Sequence, residues 1–256
     1  MNGRPGLAIA LLLGCCGGEP ERITPDPPTT GRPRILVVTH TTGYRHSSIG
    51  VAEQTLEELA AESGAFEVAF ARNESDVRER LTPGALEGFA GVVFANTSGD
   101  LGIPDLSAFL GWIADGHAFV GVHGASDTYH GAPDYLAMLG AEFKTHGAQC
   151  EVDAKVEDAS HAAVAHLAPT YRVFDEIYEL TDDPRPRAQI LLSVDHHPPD
   201  GHPEAGSPGD FPLSWVKSHG RGRVFYTALG HREEIWQDAR FRQHLLGAIR
   251  WSLASN

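Results

Sequence analysis

Ala118-Phe-Val-Gly-Val122 runs without a break into His123-Gly124-Ala125. Five apolar or small residues ended by a Gly-containing turn describe a short strand buried on both faces. Arg34-Ile-Leu-Val-Val-Thr-His40 and Gly91-Val-Val-Phe-Ala95 have the same form, the second ending in Asn96-Thr97-Ser98-Gly99, and residues 66–71 add another strand. Between them lie helical stretches. Ser47 or Ser48 can cap a helix running to about Ala61, with Val51, Thr55, Leu56 and Leu59 on one face and Gly64 as its stop. Residues 104–115 form another, with Pro104 in its first turn. Strand, helix, strand, helix at this spacing predicts a doubly wound α/β fold, a mostly parallel sheet with helices on both faces. Ligands of such sheets bind at the carboxyl ends of the strands. Those ends are residues 40–46, 96–100 and 123–130, and two of the three carry histidine.

The second half is richer in strands, expected at 150–156, 173–180, 189–194, 213–217 and 223–229. Residues 238–253 close the chain as an amphipathic helix with Phe241, Leu245, Leu246, Ile249 and Leu253 facing the core. Residues 196–209 are rich in Pro, Gly and His and read as an exposed, mobile loop, where His196, His197 and His202 could hold a metal only loosely.

Residues 1–15 read as an export signal. Arg4 precedes a short apolar run at 7–13, too short to span a bilayer, and Leu12-Leu13-Gly14-Cys15 looks like a bacterial lipobox. Cys15 is then the lipidated residue, residues 16–33 a Pro/Thr-rich tether, and 34–253 the folded domain. The expected location is the bacterial cell envelope, with membrane contact through the lipid anchor only. Cys150 is the remaining cysteine after Cys15 and Cys16, so the domain has no internal disulfide and Cys150 reads as a small buried residue.

Of 256 residues, 34 are Asp or Glu and 20 Lys or Arg, a formal charge of −14. The lysines are Lys144, Lys155 and Lys217, and no basic run exists. Phosphate binding needs clustered cations, so nucleic acid is excluded as a partner. The 14 histidines stand out. Imidazole is the commonest metal ligand and titrates near neutrality.

His123 occupies the strand-to-helix turn where α/β hydrolases place a nucleophile. Histidine there is a metal ligand or general base, or merely caps the turn. Gly222-Arg-Val-Phe-Tyr-Thr-Ala-Leu-Gly-His231 places a second histidine at a strand end. In Asp175-Glu-Ile-Tyr178, period two puts Glu176 and Tyr178 on one face and Asp175 on the other. Acids in an apolar run face either a polar site or, on an edge strand, water. His46, His123 and His231 with Glu176 make a plausible zinc-type set. Trp112, Trp215, Trp236 and Trp251 are candidates for stacking on a sugar ring, although Trp251 in the last helix fits packing better.

Gly43-Tyr-Arg-His46, Gly121-Val-His-Gly124, Asp127-Thr-Tyr129, Tyr135 to Gly140 with Phe143-Lys-Thr-His146, Asp175 to Tyr178, and Pro212-Leu-Ser-Trp215 through His231 resemble the ThuA-like (trehalose utilisation) family. The resemblance spans residues 34–253. It implies a flavodoxin-like fold similar to class I glutamine amidotransferases, with His123 standing where their nucleophilic Cys would be. It also implies a role in sugar catabolism, especially of disaccharides oxidised to 3-keto forms. His46, His123, Asp127, His146, Glu176, Tyr178 and His231 match motif positions, whereas His161 is followed by Ala162 instead of the family's usual Pro.

The resulting expectation is an extracytoplasmic protein acting on a keto glycoside by hydrolysis, elimination or isomerisation. His123, Asp127 and Tyr178 would be catalytic, and His46, His123, Glu176 and His231 would hold a divalent metal, zinc above others, with no nucleotide cofactor. Tyr44, His130, His146 and Trp215 would contact the sugar-derived small molecule. The rivals are a non-catalytic carbohydrate-binding or sensing lipoprotein, and an amidase-like hydrolase using Ser126 or Cys150.

Overall fold

The computed structural model describes Met1 and residues 31–254. The leader, Cys15 and most of the tether lie outside the described residues. In chain order the elements are β1 (Arg34–Val38), α1 (Ile49–Ser63), β2 (Glu67–Ala71), α2 (Glu74–Arg80), α3 (Pro83–Leu86), β3 (Gly91–Ala95), α4 (Leu106–Ala114), β4 (Ala118–Val122), α5 (Pro133–Leu139), β5 (Phe143–His146), β6 (Cys150–Val156), β7 (Thr170–Asp175), β8 (Tyr178–Leu180), β9 (Gln189–His196), β10 (Pro208–His219), β11 (Gly222–Thr227), α6 (Glu233–Gln237) and α7 (Ala239–Leu253).

Nine strands among the described residues form one sheet in the order β2-β1-β3-β4-β11-β10-β9-β6-β7. The first five are parallel, and the remainder add antiparallel. β5 and β8 pair separately. The buried-run strands behave as their composition dictates. Along β1, Ile35 and Val37 enter the core layer beneath α1 and α7, while Leu36 and Val38 enter the layer beneath α2 and α4. Helix ends follow local chemistry. Gly64 closes α1 in a left-handed conformation (φ 59°), and the Asp238 carboxylate caps α7 by accepting from the N–H groups of Arg240 and Phe241.

Two expectations need correction, and four short helices were not foreseen. The run 173–180 is two strands: the chain breaks at Glu176-Ile177 and β8 leaves the main sheet to pair with β5. Period-two alternation therefore does not extend across the break. Residues 196–209 are not simply an exposed loop, because His197 and Asp200 are buried. The short helices α2, α3, α5 and α6 have too few turns to show a helical period in the sequence.

Candidate functional site

The chain leaves β1 toward β2 on one side and leaves β3 toward β4 on the other, so the loops leaving β1 and β3 diverge and open a crevice. The loop after β1 delivers His46, the turn after β4 delivers His123 and the turn after β11 delivers His231. His123 begins a single 3₁₀ turn (His123–Asp127) in a left-handed conformation, φ 47°. L-residues rarely adopt it, and it aims the side chain off the end of the sheet. Gly124 must be glycine. A Cβ there would lie 2.6 Å from the Thr97 carbonyl oxygen and 3.2 Å from Cε1 of His46. Asn96 ties the loops together: its Nδ2 donates to Ser48 Oγ (2.8 Å) and to the Gly230 carbonyl (2.9 Å). Ser48 Oγ in turn donates to the His231 carbonyl at 2.7 Å.

The three imidazoles converge, with ring centroids 4.9 to 5.2 Å apart. One nitrogen from each lies within 4.8 Å of the others. His123 Nδ1 sits 2.7 Å from the Ala228 carbonyl, which only accepts, so Nδ1 carries the proton and Nε2 the lone pair. That Nε2 faces Tyr178 Oη at 2.8 Å, His231 Nδ1 at 3.2 Å and Glu176 Oε1 at 3.5 Å. Glu176 also reaches His231 Nδ1 and, through Oε2, His146 Nδ1, each at 3.2 Å.

Burial, and next the neighbouring His123 and His231, push His46 down to about 3, so its ring is neutral at physiological pH. Its Nδ1 is buried with no partner. Burial works to raise Glu176, but the neighbouring His123 and His231 outweigh it and hold the carboxyl well below the usual range. Burial works to lower His231, and its bond to Glu176 reverses that. Burial pushes the Tyr178 phenol well up, so it remains an O–H donor. Asp175, fully buried, accepts from the backbone N–H groups of Gly230 (2.7 Å) and Arg232 (3.3 Å), gripping the turn that carries His231.

Above the imidazoles lies a cavity of about 450 Å³ lined by Tyr44, Asp127, Phe143, His146, Gln149 and Tyr178 together with His46, Glu176 and His231. Tyr44 is 63% exposed at the rim. Behind Asp127, His130 bridges two carboxylates, with Nε2 2.6 Å from Asp127 Oδ1 and Nδ1 2.7 Å from Glu142 Oε1. Burial lowers His130, but the two carboxylates prevail and raise it.

Residues 34–252 match the family model described as ThuA, trehalose utilisation. The chain belongs to the ThuA family. Membership gives it a carbohydrate-related role. No curated protein is significantly similar to it in sequence. Among solved structures, a ThuA-like protein from Parabacteroides merdae superposes with a TM-score of 0.71 at 20% identity, over 87% of this chain and 90% of that one. One from Bacteroides uniformis gives 0.67 at 22% identity, over 88% and 94%. The cytoplasmic protein STM1381 from Salmonella typhimurium gives 0.58 at 14% identity, over 86% and 96%. The fold is thus the ThuA-like, flavodoxin and glutamine amidotransferase-like α/β arrangement.

In this ThuA-family chain the structure gathers Tyr44, His46, Asp127, His146, Glu176, Tyr178 and His231 around one cavity, with His123 fully buried against His231 and Tyr178 beneath it and His130 one bond behind Asp127. Trp215 is a correction. It is fully buried, packs on Tyr226 and donates Nε1–H to the Leu139 carbonyl at 2.8 Å, so it cannot stack on a sugar. Ser126 is fully buried against Tyr226 Oη at 2.7 Å, and burial raises the Cys150 thiol to about 11, so neither suits nucleophilic attack. The sequence reading missed Phe143, Gln149 and Glu142 in and behind the wall, and the grip of Asp175. Only the placement of Asp175 inside an apolar run hinted at its burial.

Proposed function

We propose that this ThuA-family chain is an enzyme of carbohydrate breakdown that acts on a 3-keto glycoside or disaccharide by removing a proton beside the ketone. The observation that carries this is the convergence of three imidazoles and a carboxylate, with His46, His231 and Glu176 lining a sugar-sized cavity and His123 buried against them. The donor set fits a divalent cation, zinc above others: borderline nitrogen and oxygen donors, a neutral His46 with an unpartnered buried Nδ1, and a His123 whose backbone bond fixes its lone pair on Nε2. His46, His123, His231 and Glu176 would hold it. When bound, the cation supplies a Lewis acid for the negative charge that develops on the ketone oxygen.

The rest of the chemistry belongs to the chain. Tyr178 offers an O–H to the same oxygen. His146, held against Glu176, takes the proton from the carbon beside the ketone. The His130–Asp127 pair delivers a proton, carried by His130 and relayed through Asp127, to the departing glycosidic oxygen as its C–O bond breaks and a carbon–carbon double bond forms. Addition of water to that double bond completes hydrolysis, and reprotonation without departure gives isomerisation. Tyr44 at the rim presents a face to the sugar ring.

The test incubates the purified protein with a 3-keto disaccharide in D₂O. Deuterium should enter at the carbon beside the ketone, with cleavage following, and His123→Ala and His231→Ala should abolish both. Keto sugar recovered unlabelled and uncleaved sinks the reading, and stabilisation by the sugar without turnover favours a binding protein instead. The cell-envelope location is proposed on residues 1–33 alone. Metabolic acyl labelling should mark the wild type and spare Cys15→Ser.

A further inference from the structure

The β9–β10 connection carries a second cluster of metal-binding side chains, well apart in sequence from the strand-end histidines. His197, His202 and Glu204 each offer a donor atom, all within 4.8 Å of one another. The His197 and His202 rings lie side by side, centroids 4.5 Å apart and 14° from parallel. His197 is 5% exposed, wedged edge-on against Phe211. Its partners are poor for a buried imidazole: the Pro198 carbonyl 3.3 Å from Nδ1, Glu179 Oε1 3.5 Å from Nε2, and Asp200 Oδ1 3.9 Å from Nδ1. A buried polar ring normally has a good hydrogen bond. On His202 the contact to the ring is a long one, from the Glu204 N–H to Nδ1 at 3.2 Å.

The loop around them is closed. His197 N–H donates to the Ser207 carbonyl (2.8 Å), Gly206 N–H to the His197 carbonyl (2.9 Å) and Ala205 N–H to the His202 carbonyl (3.0 Å). The loop is also docked. Ala148 N–H donates to the Asp200 carbonyl at 2.8 Å, and Gly147 approaches so closely that a Cβ there would meet Asp200 Oδ2 at 2.2 Å. Residues 147 and 148 lie between His146 and Gln149, both in the cavity wall.

We propose that His197, His202 and Glu204 bind a second divalent transition-metal ion of the zinc class, which staples the β9–β10 loop and so supports the wall that presents His146 and Gln149. Two imidazoles and one carboxylate favour zinc, cobalt or nickel over magnesium, which prefers all-oxygen sites and retains its water. A bound zinc holds its ligands about 2.0–2.2 Å away, so the cluster must close slightly, and exposed His202 and Glu204 are free to turn toward it. This site is independent of the strand-end site.

The test titrates chelator-stripped full-length protein with Zn²⁺ against a chromogenic chelator and follows Co²⁺ by its visible absorption. His202→Ala combined with Glu204→Gln should lower uptake by about one equivalent and remove the metal-dependent protection of residues 197–207 from proteolysis. Both residues are exposed, so the variant should fold. The same loss should appear in a His46→Ala, His231→Ala background, where the strand-end site is silenced. Cys15 and Cys16 are present in every variant and cancel in the difference. Uptake and protection unchanged by His202→Ala with Glu204→Gln, in both backgrounds, overturn the proposal. Failure of the strand-end site would show separately, as no difference between the His46→Ala, His231→Ala protein and the wild type.

Discussion

Asp175→Asn tests whether one buried carboxylate places His231. The two Asp175 oxygens accept from two different backbone N–H groups, Gly230 and Arg232, at 2.7 and 3.3 Å. Asparagine keeps one acceptor oxygen but turns an NH₂ toward a second N–H, so one bond to a charged acceptor is replaced by a donor–donor clash. Hydrogen bonds to charged groups contribute about 1.5–3 kcal/mol net. If that energy holds the 230–232 turn in the form that presents His231 to the proposed metal, its loss lowers zinc affinity by about 10- to 150-fold. That range overlaps the usual effect of removing a group that orients a metal ligand. For a domain of this size the melting temperature should fall by roughly 3–12 °C. Competitive zinc titration and thermal melts read the two effects side by side. Zinc affinity within about twofold of the wild type would refute the reasoning, because His231 would then be placed without Asp175.

His244 sets an acid limit on stability. It is fully buried with Nδ1 on the Ala163 carbonyl (2.8 Å), and burial pushes it down to about 4. The unfolded chain takes up a proton near pH 6.5 that the folded chain refuses until about 4, so stability is full above 6.5 and falls by about 3 kcal/mol as pH drops to 4. Urea denaturation of wild type and His244→Leu across that window should show a shallower pH dependence in the variant; parallel curves would count against it. Trp215→Ala should cost about 3–5 kcal/mol, read as a lower denaturation midpoint, while leaving metal uptake intact, since Trp215 is core. On the proposed function, Tyr44→Ala should leave the melting temperature unchanged and raise KM for the proposed keto sugar about 10-fold with little change in kcat, because an exposed rim ring would contribute to binding in ground and transition state alike.

The apolar runs at 34–38, 91–95 and 118–122 were enough to establish the α/β fold, because a strand buried on both faces has no other use for continuous aliphatic residues. Locating strand ends also singled out His46, His123 and His231, since ligand sites in such sheets follow from topology. Other features depended on contacts between distant segments. Nothing local in Asp175-Glu-Ile-Tyr178 announces that the strand breaks there, sending Asp175 into the core to hold Gly230 and Glu176 toward three histidines. Trp215 looks the same in sequence whether it faces a sugar or the core; pairing with β9 and β11 decided that it is buried. The His-rich stretch near 200 reads as loose because Pro and Gly mark a loop, yet docking on residues 147–148 buries His197. Periodicity and composition record how each segment meets its own surroundings, so the sequence determined the parallel strands, the long helices and the strand ends that carry histidine. Which side chains share one cavity depends on how segments more than 50 residues apart close on one another, and only the tertiary structure decided that.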